Sequence, residues 1–253
     1  METGKQTLRL DKILSHMGIA TRSELKKMVK QGRITVDGTK VKDSGLQVNP
    51  ARCVIEVDGE EVVYREFIYI MLHKPAGVVS ATEDNRDRTV IDLLPGKFKV
   101  FAPFPVGRLD KDTEGLLLLT NDGALSHELL SPRKHVPKTY EAKVLGAIGG
   151  SHAEQFRAGV ELDDGYVTKP AELEILKQYE ENGQIYSEIS LTIVEGKFHQ
   201  VKRMFEAAGS KVLYLKRVRM GTLELDPLLP KGAYRELTEE ELSRLQTIHQ
   251  NLS

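Results

Sequence analysis

The segment GRLDKDTEGLLLLTNDG, residues 107–123, sets charged side chains directly before four consecutive leucines. An aspartate held at the mouth of an apolar site can act as a nucleophile or as a base. Arg108 and Asp110 flank Leu109, and strand alternation puts both charges on one face. Acidic residues beside glycine are also typical of turns. Two hypotheses therefore stay open for Asp110: a chemically active carboxylate, or part of a capping turn.

A calcium site is a third hypothesis for the same acids. From Asp110 the spacing is D-x-D-x-E-G, which resembles the start of an EF-hand loop. The twelfth position, where a bidentate glutamate is required, is Asn121. Pro103 and Pro105 occupy the place of the entering helix, which proline disfavours. We therefore expect no calcium binding and no metal at this loop.

Length and composition describe an ordinary globular chain. Its 253 residues suit one large domain, or one domain with a small satellite. A single cysteine, Cys53, excludes an internal disulfide and cannot build a zinc site alone. No apolar run approaches the length of a membrane helix, and the N-terminus lacks a secretory signal. We expect a cytoplasmic protein without membrane association.

The net charge of −1 conceals two basic segments. Residues 1–52 carry 11 Lys/Arg against 5 Asp/Glu, and residues 195–219 carry 7 against 2. Residues 154–194 hold 9 acids and only 3 bases. Because a phosphate backbone responds to local charge, these segments are compatible with nucleic-acid binding, although a charge run is more often a solvated face.

The first 62 residues predict a small basic domain of two helices and two hairpins. Helical spacing of apolar residues begins at Leu10, and Thr21 with Glu24 forms the capping box of a second helix. Asp37-Gly38 and Asp58-Gly59 predict hairpin turns. The outer face of the second helix carries four cations: Arg22, Lys26, Lys27 and Lys30.

Residues 66–253 predict a second domain in which strands alternate with helices. GLLLLT is expected as a buried strand, KTYEAKV as a strand, and HQVKRMFEAAG as a helix with Val201, Met204 and Phe205 inward. The pattern indicates an α+β fold with a large sheet.

Several motifs together resemble the pseudouridine synthases that modify bacterial ribosomal RNA. They are GRLDKDTEGLLLLTNDG, HKPAGVVSATED, SPRKHVPKTYEAKV and EGKFHQVKRMFEAAGSKVLYLKRVRMGTLELD. The N-terminal residues resemble the α-L RNA-binding module of ribosomal small-subunit protein four. The resemblance covers nearly the whole chain. It implies an α-L domain followed by a catalytic domain on a large mixed, mainly antiparallel sheet flanked by helices.

The resemblance also assigns roles to particular residues. Asp110 matches the catalytic acid, acting on the sugar by direct attack or by proton abstraction, and Tyr140 matches the active-site tyrosine. Lys202 matches the cation that pairs with the acid, and its neighbour Arg203 lies about 100° around the helix, so we choose Lys202. Substrate contacts are expected from Arg108, Arg203, His199 and the four cations of the basic helix. Arg108 is equally open to a structural ion pair.

The implied reaction is an isomerisation, so no cofactor is expected. The expected partner is ribosomal RNA, specifically 16S RNA in a small-subunit assembly intermediate, with no obligate protein partner. His73 and Lys74 are expected to support the backbone or contact phosphate. Two alternatives remain. One is the same reaction on 23S RNA, and the other is a non-catalytic RNA-binding assembly factor that has the fold of the enzyme without its activity.

Overall fold

In the computed structural model, residues 7–251 are described, with side chains up to residue 247. The chain forms two compact units. The first contains the residues up to Ile68 together with Pro95–Ala102, and the second contains Tyr69–Leu94 and the chain from Pro103 onward. Among residues 7–251, no helix combines the length and the apolar character needed to cross a bilayer.

The first unit contains the two helices and the two hairpins that the sequence predicts. Thr21 and Glu24 form the capping box of the second helix. Asp37-Gly38 and Asp58-Gly59 take positive φ angles at the hairpin turns. The helices are α1 (Leu10–His16) and α2 (Arg22–Lys30), and the strands are β1 (Leu8–Arg9), β2 (Ile34–Val36), β3 (Thr39–Lys40), β4 (Gln47–Val48), β5 (Ile55–Val57) and β6 (Glu60–Glu61). Strand β1 pairs with β4, and the other four form a sheet in the order β3-β2-β5-β6.

The segment Pro95–Ala102 differs from the expected division at residues 62 and 66, because it clusters with the first unit. It includes the short helix α3 (Gly96–Lys99). Gly18 approaches Val100 so closely that a Cβ at Gly18 would lie 2.6 Å from Val100 Cγ1. The ring of His16 meets Phe101 edge-on, with the ring centroids 5.2 Å apart. These contacts join sequence-distant residues, so local patterns do not reveal them.

The second unit is built on a nine-stranded sheet, among the residues described. Its main order is β11-β12-β10-β13-β9-β7-β15, with β14 paired to β13 and β8 to β9. Every pairing is antiparallel except that of β13 with β9, so the mixed, mainly antiparallel sheet is confirmed. The strands are β7 (Tyr69–Lys74), β8 (Phe104–Pro105), β9 (Glu114–Thr120), β10 (Lys138–Leu145), β11 (Glu172–Glu181), β12 (Gln184–Ile193), β13 (Lys211–Met220), β14 (Leu223–Glu224) and β15 (Tyr234–Glu236).

Helices flank this sheet. They are α4 (Gly123–Leu130), α5 (Gly150–Ala158), α6 (Gln200–Ala207) and α7 (Glu239–Asn251), with a 3₁₀ turn at Ile91–Leu93. All seven residues of β9 are buried, and the strand lies between β13 and β7 in the sheet. The four leucines of the opening motif therefore form a buried strand, as predicted.

Candidate active site

The backbone that carries Asp110 is anchored on its inner side. Lys74 is fully buried, and its ammonium donates to the carbonyl oxygens of Thr113 at 2.8 Å and Asp110 at 3.0 Å. Ser80 Oγ bonds both to the carbonyl oxygen of Leu109, at 2.9 Å, and to its amide, at 3.1 Å. These hydrogen bonds hold the peptide groups on either side of Asp110 in place. The carboxylate of Asp110 takes no part in them and faces outward.

A glycine is required where this segment enters the sheet. Gly115 has φ +107° and lies opposite Arg217 in the parallel pairing of β9 with β13. A Cβ on Gly115 would lie 2.1 Å from the carbonyl oxygen of Arg217. Any side chain would therefore separate the two strands, and with them the two sides of the site.

Helix α6 approaches the carboxylate of Asp110 from the other side. Lys202 Nζ lies 3.1 Å from Asp110 Oδ2 and 2.7 Å from Asp112 Oδ1. His199, just before the helix, takes the left-handed conformation, with its Nε2 3.6 Å from Asp110 Oδ1. Burial lowers the pKa of Lys202, but its hydrogen bonds to Asp112 and Asp110 outweigh burial and raise the pKa above its ordinary value. The hydrogen bond from Lys202 holds the pKa of Asp112 below its usual range.

Arg203 is directed elsewhere. Its Nε donates to Asp163 Oδ1 at 2.6 Å, and its Nη2 lies 2.7 Å from Asp164 Oδ2. Consecutive helical side chains diverge by about 100°, so Lys202 and Arg203 engage different acids. Of the two, only Lys202 contacts Asp110 in the residues that the structure describes.

Five of the predicted site residues line one small pocket of about 80 Å³. They are Arg108, Asp110, Tyr140, His199 and Lys202. Tyr140 stands on β10 and is buried, and Leu109, Ile193, Val201 and Leu215 supply apolar walls. The pocket thus presents the carboxylate of Asp110 beside the ammonium of Lys202 and the ring of Tyr140, with Lys197 also in its lining and apolar side chains along part of its wall.

The acids of the opening motif do not converge on a common point. Asp110 and Asp112 both contact Lys202, whereas Glu114 accepts from Tyr214 Oη at 2.8 Å and contacts Lys231 at 2.8 Å. No group of three or more His, Cys, Asp or Glu within the described residues could hold a metal ion. In the described part of the chain, these acids pair with Lys202 and Lys231 instead of turning toward a shared cation position.

Residues 68–207 match the model for RNA pseudouridylate synthases, and residues 8–51 match the S4 domain. The first match covers more than half of the chain. The chain belongs to the RNA pseudouridylate synthase family. The fold and the activity that the sequence motifs imply, isomerisation of a uridine in RNA, are thereby confirmed.

Three relatives resemble the synthase over nearly its whole length. An uncharacterized RNA pseudouridine synthase of Bacillus subtilis is 53% identical, covering 94% of this chain and 98% of the relative. The ribosomal small subunit pseudouridine synthase A of Vibrio cholerae is 41% identical, covering 94% and 99%. The ribosomal large subunit pseudouridine synthase B of Bacillus subtilis is 39% identical, covering 95% and 96%.

The four predicted cations of the N-terminal domain lie on one helix of the synthase, α2, within the S4 match. Arg22, Lys26, Lys27 and Lys30 are all exposed, while Leu25, Met28 and Val29 hold the opposite face of that helix in the core. Exposed cations along one helix are available to phosphate groups, which position an RNA without reading its sequence.

Two cations beside the active-site pocket were not among the predicted site residues. Lys138 and Tyr140 are two residues apart on β10, a spacing that directs both side chains to one face of the sheet. That alternation could have drawn attention to Lys138. Arg217 is buried on β13, a strand that was not predicted from the sequence. Two pairings of β13 bring Arg217 to this site: the antiparallel pairing with β10, which sets Arg217 opposite Tyr140, and the parallel pairing with β9.

Proposed function

We propose that the enzyme converts one uridine of 16S ribosomal RNA to pseudouridine, with Asp110 as the catalytic nucleophile. The single observation that carries this role is the placement of Asp110. Its carboxylate lines the same pocket as Tyr140 and lies 3.1 Å from the ammonium of Lys202. A carboxylate at a pocket with a cation beside it suits attack on an electrophilic carbon.

The steps balance within the substrate and Asp110. The bond between N1 of uracil and C1′ of ribose breaks, its electron pair leaves on the uracil, and an oxygen of Asp110 bonds to C1′. The uracil then turns, C5 bonds to C1′, and the carboxylate leaves. The proton on C5 is lost and a proton is gained at N1, so substrate and product are isomers and no cofactor is consumed.

The neighbouring residues have separate roles in this scheme. The ring of Tyr140 confines the detached uracil, and its hydroxyl moves a proton. Lys202 supports the carboxylate both as it attacks and as it leaves. Arg108 and His199 stand at the rim and contact the extruded nucleotide. Because a base inside folded RNA must be exposed before chemistry, the exposed cations of α2 supply affinity for the surrounding backbone.

The choice of 16S RNA rests on a resemblance: the motifs GKFHQVKRMFEAAG and LPKGAYRELTEEEL resemble those of enzymes that act on the small subunit. The relatives include a small-subunit and a large-subunit enzyme at 41% and 39% identity, so 23S RNA is the alternative substrate. The substrate we propose is 16S RNA in a partly assembled small subunit, and the site of action is the cytoplasm.

The test compares wild type with Asp110→Asn on 16S transcripts, 23S transcripts and partly assembled subunits. Chemical mapping of pseudouridine is the readout, and RNA binding is measured in parallel. Asp87→Asn is the matched control, since it makes the same acid-to-amide change in an exposed ion pair with Lys111. We expect one modified uridine in 16S RNA with wild type and Asp87→Asn, and none with Asp110→Asn, which still binds.

Each other outcome points to a different correction. Modification of 23S RNA alone would replace the proposed substrate while retaining the nucleophile. Activity of Asp110→Asn close to that of wild type would reject the nucleophile. RNA binding by wild type without conversion of any substrate would favour the non-catalytic assembly factor.

A further inference from the structure

A second cavity adjoins the pocket of Asp110. Its volume is about 270 Å³, against about 80 Å³ for the pocket itself. Arg108, Tyr140, Gly196 and Lys197 line both, so the two are continuous. The roles proposed above use the small pocket and leave the larger cavity without a function.

The lining of this cavity is strongly cationic. Five of its residues are basic: Arg108, Lys138, Lys169, Lys197 and Arg217. Glu195 is an acid in the lining, and its carboxylate is already engaged. It accepts from Tyr166 Oη at 2.7 Å, from the Lys169 amide at 2.9 Å and from Gln200 Nε2 at 2.8 Å. The excess of positive charge therefore suits an anion.

Two of these cations form no ion pair with a carboxylate among the described residues: Arg217, which is buried, and Lys138, which is half-buried. Arg217 is buried; its Nε donates to the carbonyl oxygen of Leu116 at 2.9 Å, and its Nη2 has no hydrogen-bond partner among the described residues. Lys138 Nζ donates to the carbonyl oxygen of Val136 at 3.1 Å. Burial, reinforced by the charge of Arg217 and opposed by that of Glu195, lowers the pKa of Lys138 to about 8. Cations held in a partly buried site without an ion pair are unfavourable, so a ligand that supplies negative charge here would stabilise both.

We propose that this cavity binds a phosphate group of the RNA strand next to the target uridine, with Lys138 and Arg217 as its inner ligands. The inference rests on the proposed function, because an RNA substrate carries a phosphate beside every nucleoside. Lysine and arginine are the side chains that bind phosphate most strongly, through charge-assisted hydrogen bonds.

Such an anchor has a specific use in this reaction. While the uracil is detached, contacts to the base cannot hold the ribose over Asp110. A phosphate held in the adjoining cavity restrains the ribose and leaves the uracil free to turn. Binding energy from a part of the substrate that does not react thus maintains the geometry of the part that does.

The experiment removes one phosphate charge at a time. A short RNA hairpin that the enzyme binds is prepared with a neutral methylphosphonate at each linkage in turn. Binding is measured with Asp110→Asn, which prevents turnover, and with the same protein carrying Lys138→Gln. We expect one linkage beside the target uridine to weaken binding about 10- to 100-fold, as removal of a hydrogen bond between charged groups does. In the Lys138→Gln background, the same linkage should weaken binding less than about threefold, because interacting groups are not additive.

Two further variants keep the result interpretable. Lys143→Gln is the matched control on the same strand; this lysine lies over the rings of Tyr179 and Tyr186, outside the cavity, and the full penalty should remain. Lys169→Gln alters a half-buried cation of the cavity and replaces Lys138→Gln if that variant does not fold. If the methylphosphonate weakened RNA binding equally with and without the Lys138 or Lys169 substitution, the proposed phosphate site would be rejected. Since this readout is binding, it stays informative if wild type converts no RNA, an outcome that rejects the proposed function alone.

Discussion

Helices α2 and α6 both carry lysine and arginine, but the surroundings of their cations are opposite. The four cations of α2 are exposed, whereas Lys202 and Arg203 of α6 each lie between two carboxylates. An exposed cation contributes to phosphate binding over a broad surface and is screened by salt. A cation between two acids instead fixes their geometry. On the proposed function, we expect the cations of α2 to determine how tightly RNA binds and those of α6 to affect the reaction that follows binding.

Among the substitutions considered, Lys202→Met is expected to have the largest effect. Removing the ammonium leaves Asp110 and Asp112 without their shared partner, so we expect kcat to fall about 100- to 1,000-fold, as removal of one preorganised electrostatic group does. RNA affinity should change less than about threefold. Single-turnover kinetics and equilibrium binding test both, and Lys202→Arg should recover part of the rate. A fall in affinity equal to the fall in rate would place Lys202 among the binding residues.

A third cation, Lys74, sharpens the comparison, because its ammonium is buried against carbonyl oxygens rather than carboxylates. Lys74→Met should lower the free energy of unfolding by about 2–4 kcal/mol, since buried carbonyl groups lose their donor. Burial lowers the pKa of Lys74 from 10.5 to about 8, so the unfolded chain binds more protons between those values. Its contribution therefore makes the unfolding free energy rise with pH in that range. Denaturant titrations at pH 7.5 and pH 10 should show a larger rise in unfolding free energy for wild type than for Lys74→Met. The same rise in both proteins would contradict the prediction.

Neutralising the four cations of α2 tests the other half of the comparison. Replacing Arg22, Lys26, Lys27 and Lys30 by glutamine should raise KM about 10- to 50-fold near 0.1 M salt and leave kcat unchanged, because RNA binding then releases fewer counter-ions from the phosphates. The slope of log K against log salt concentration should become shallower by about 0.7 for each cation that pairs with a phosphate of single-stranded RNA. Replacing the exposed Lys177 and Lys211 of the second unit is the control, and the slope should not move.

Arg203→Gln gives the smallest expected effect. Its partners are Asp163 and Asp164 rather than Asp110, and both acids are exposed. Ion pairs to exposed acids contribute little, so kcat should change less than about threefold and the melting temperature by a few degrees at most. A drop in kcat comparable to that of Lys202→Met would show that the two cations of α6 act together.

Much of the fold follows from local patterns in the sequence. The buried strand β9, the helix α6, the capping box of α2 and both hairpin turns depend on residues close together in the sequence, and each was predicted. The parallel pairing of β13 with β9 was not, because it joins segments about 100 residues apart and depends on a glycine fitting against Arg217. The angle between consecutive helical residues is local, so the choice of Lys202 over Arg203 could be made from the sequence. The basic cavity beside Tyr140 could not be predicted, because it depends on long-range pairing. Its inner cations come from two strands whose pairing no local pattern specifies.

The anchoring of Asp110 by Lys74 also bears on how the molecule opens. Lys74 ends strand β7, and its ammonium bonds the peptide groups next to Asp110, 36 residues later in the chain. The amide of Gly77 adds a bond to the carbonyl oxygen of Lys111 at 2.8 Å. Residues 110–113 lie outside the regular sheet, but their hydrogen bonds to Lys74 and Gly77 prevent them from unfolding separately from it. The hydrogen-bonded amides of Gly77, Leu109 and Thr113 should therefore exchange only when β7 and β9 part, and activity should vanish together with the sheet as one cooperative unit.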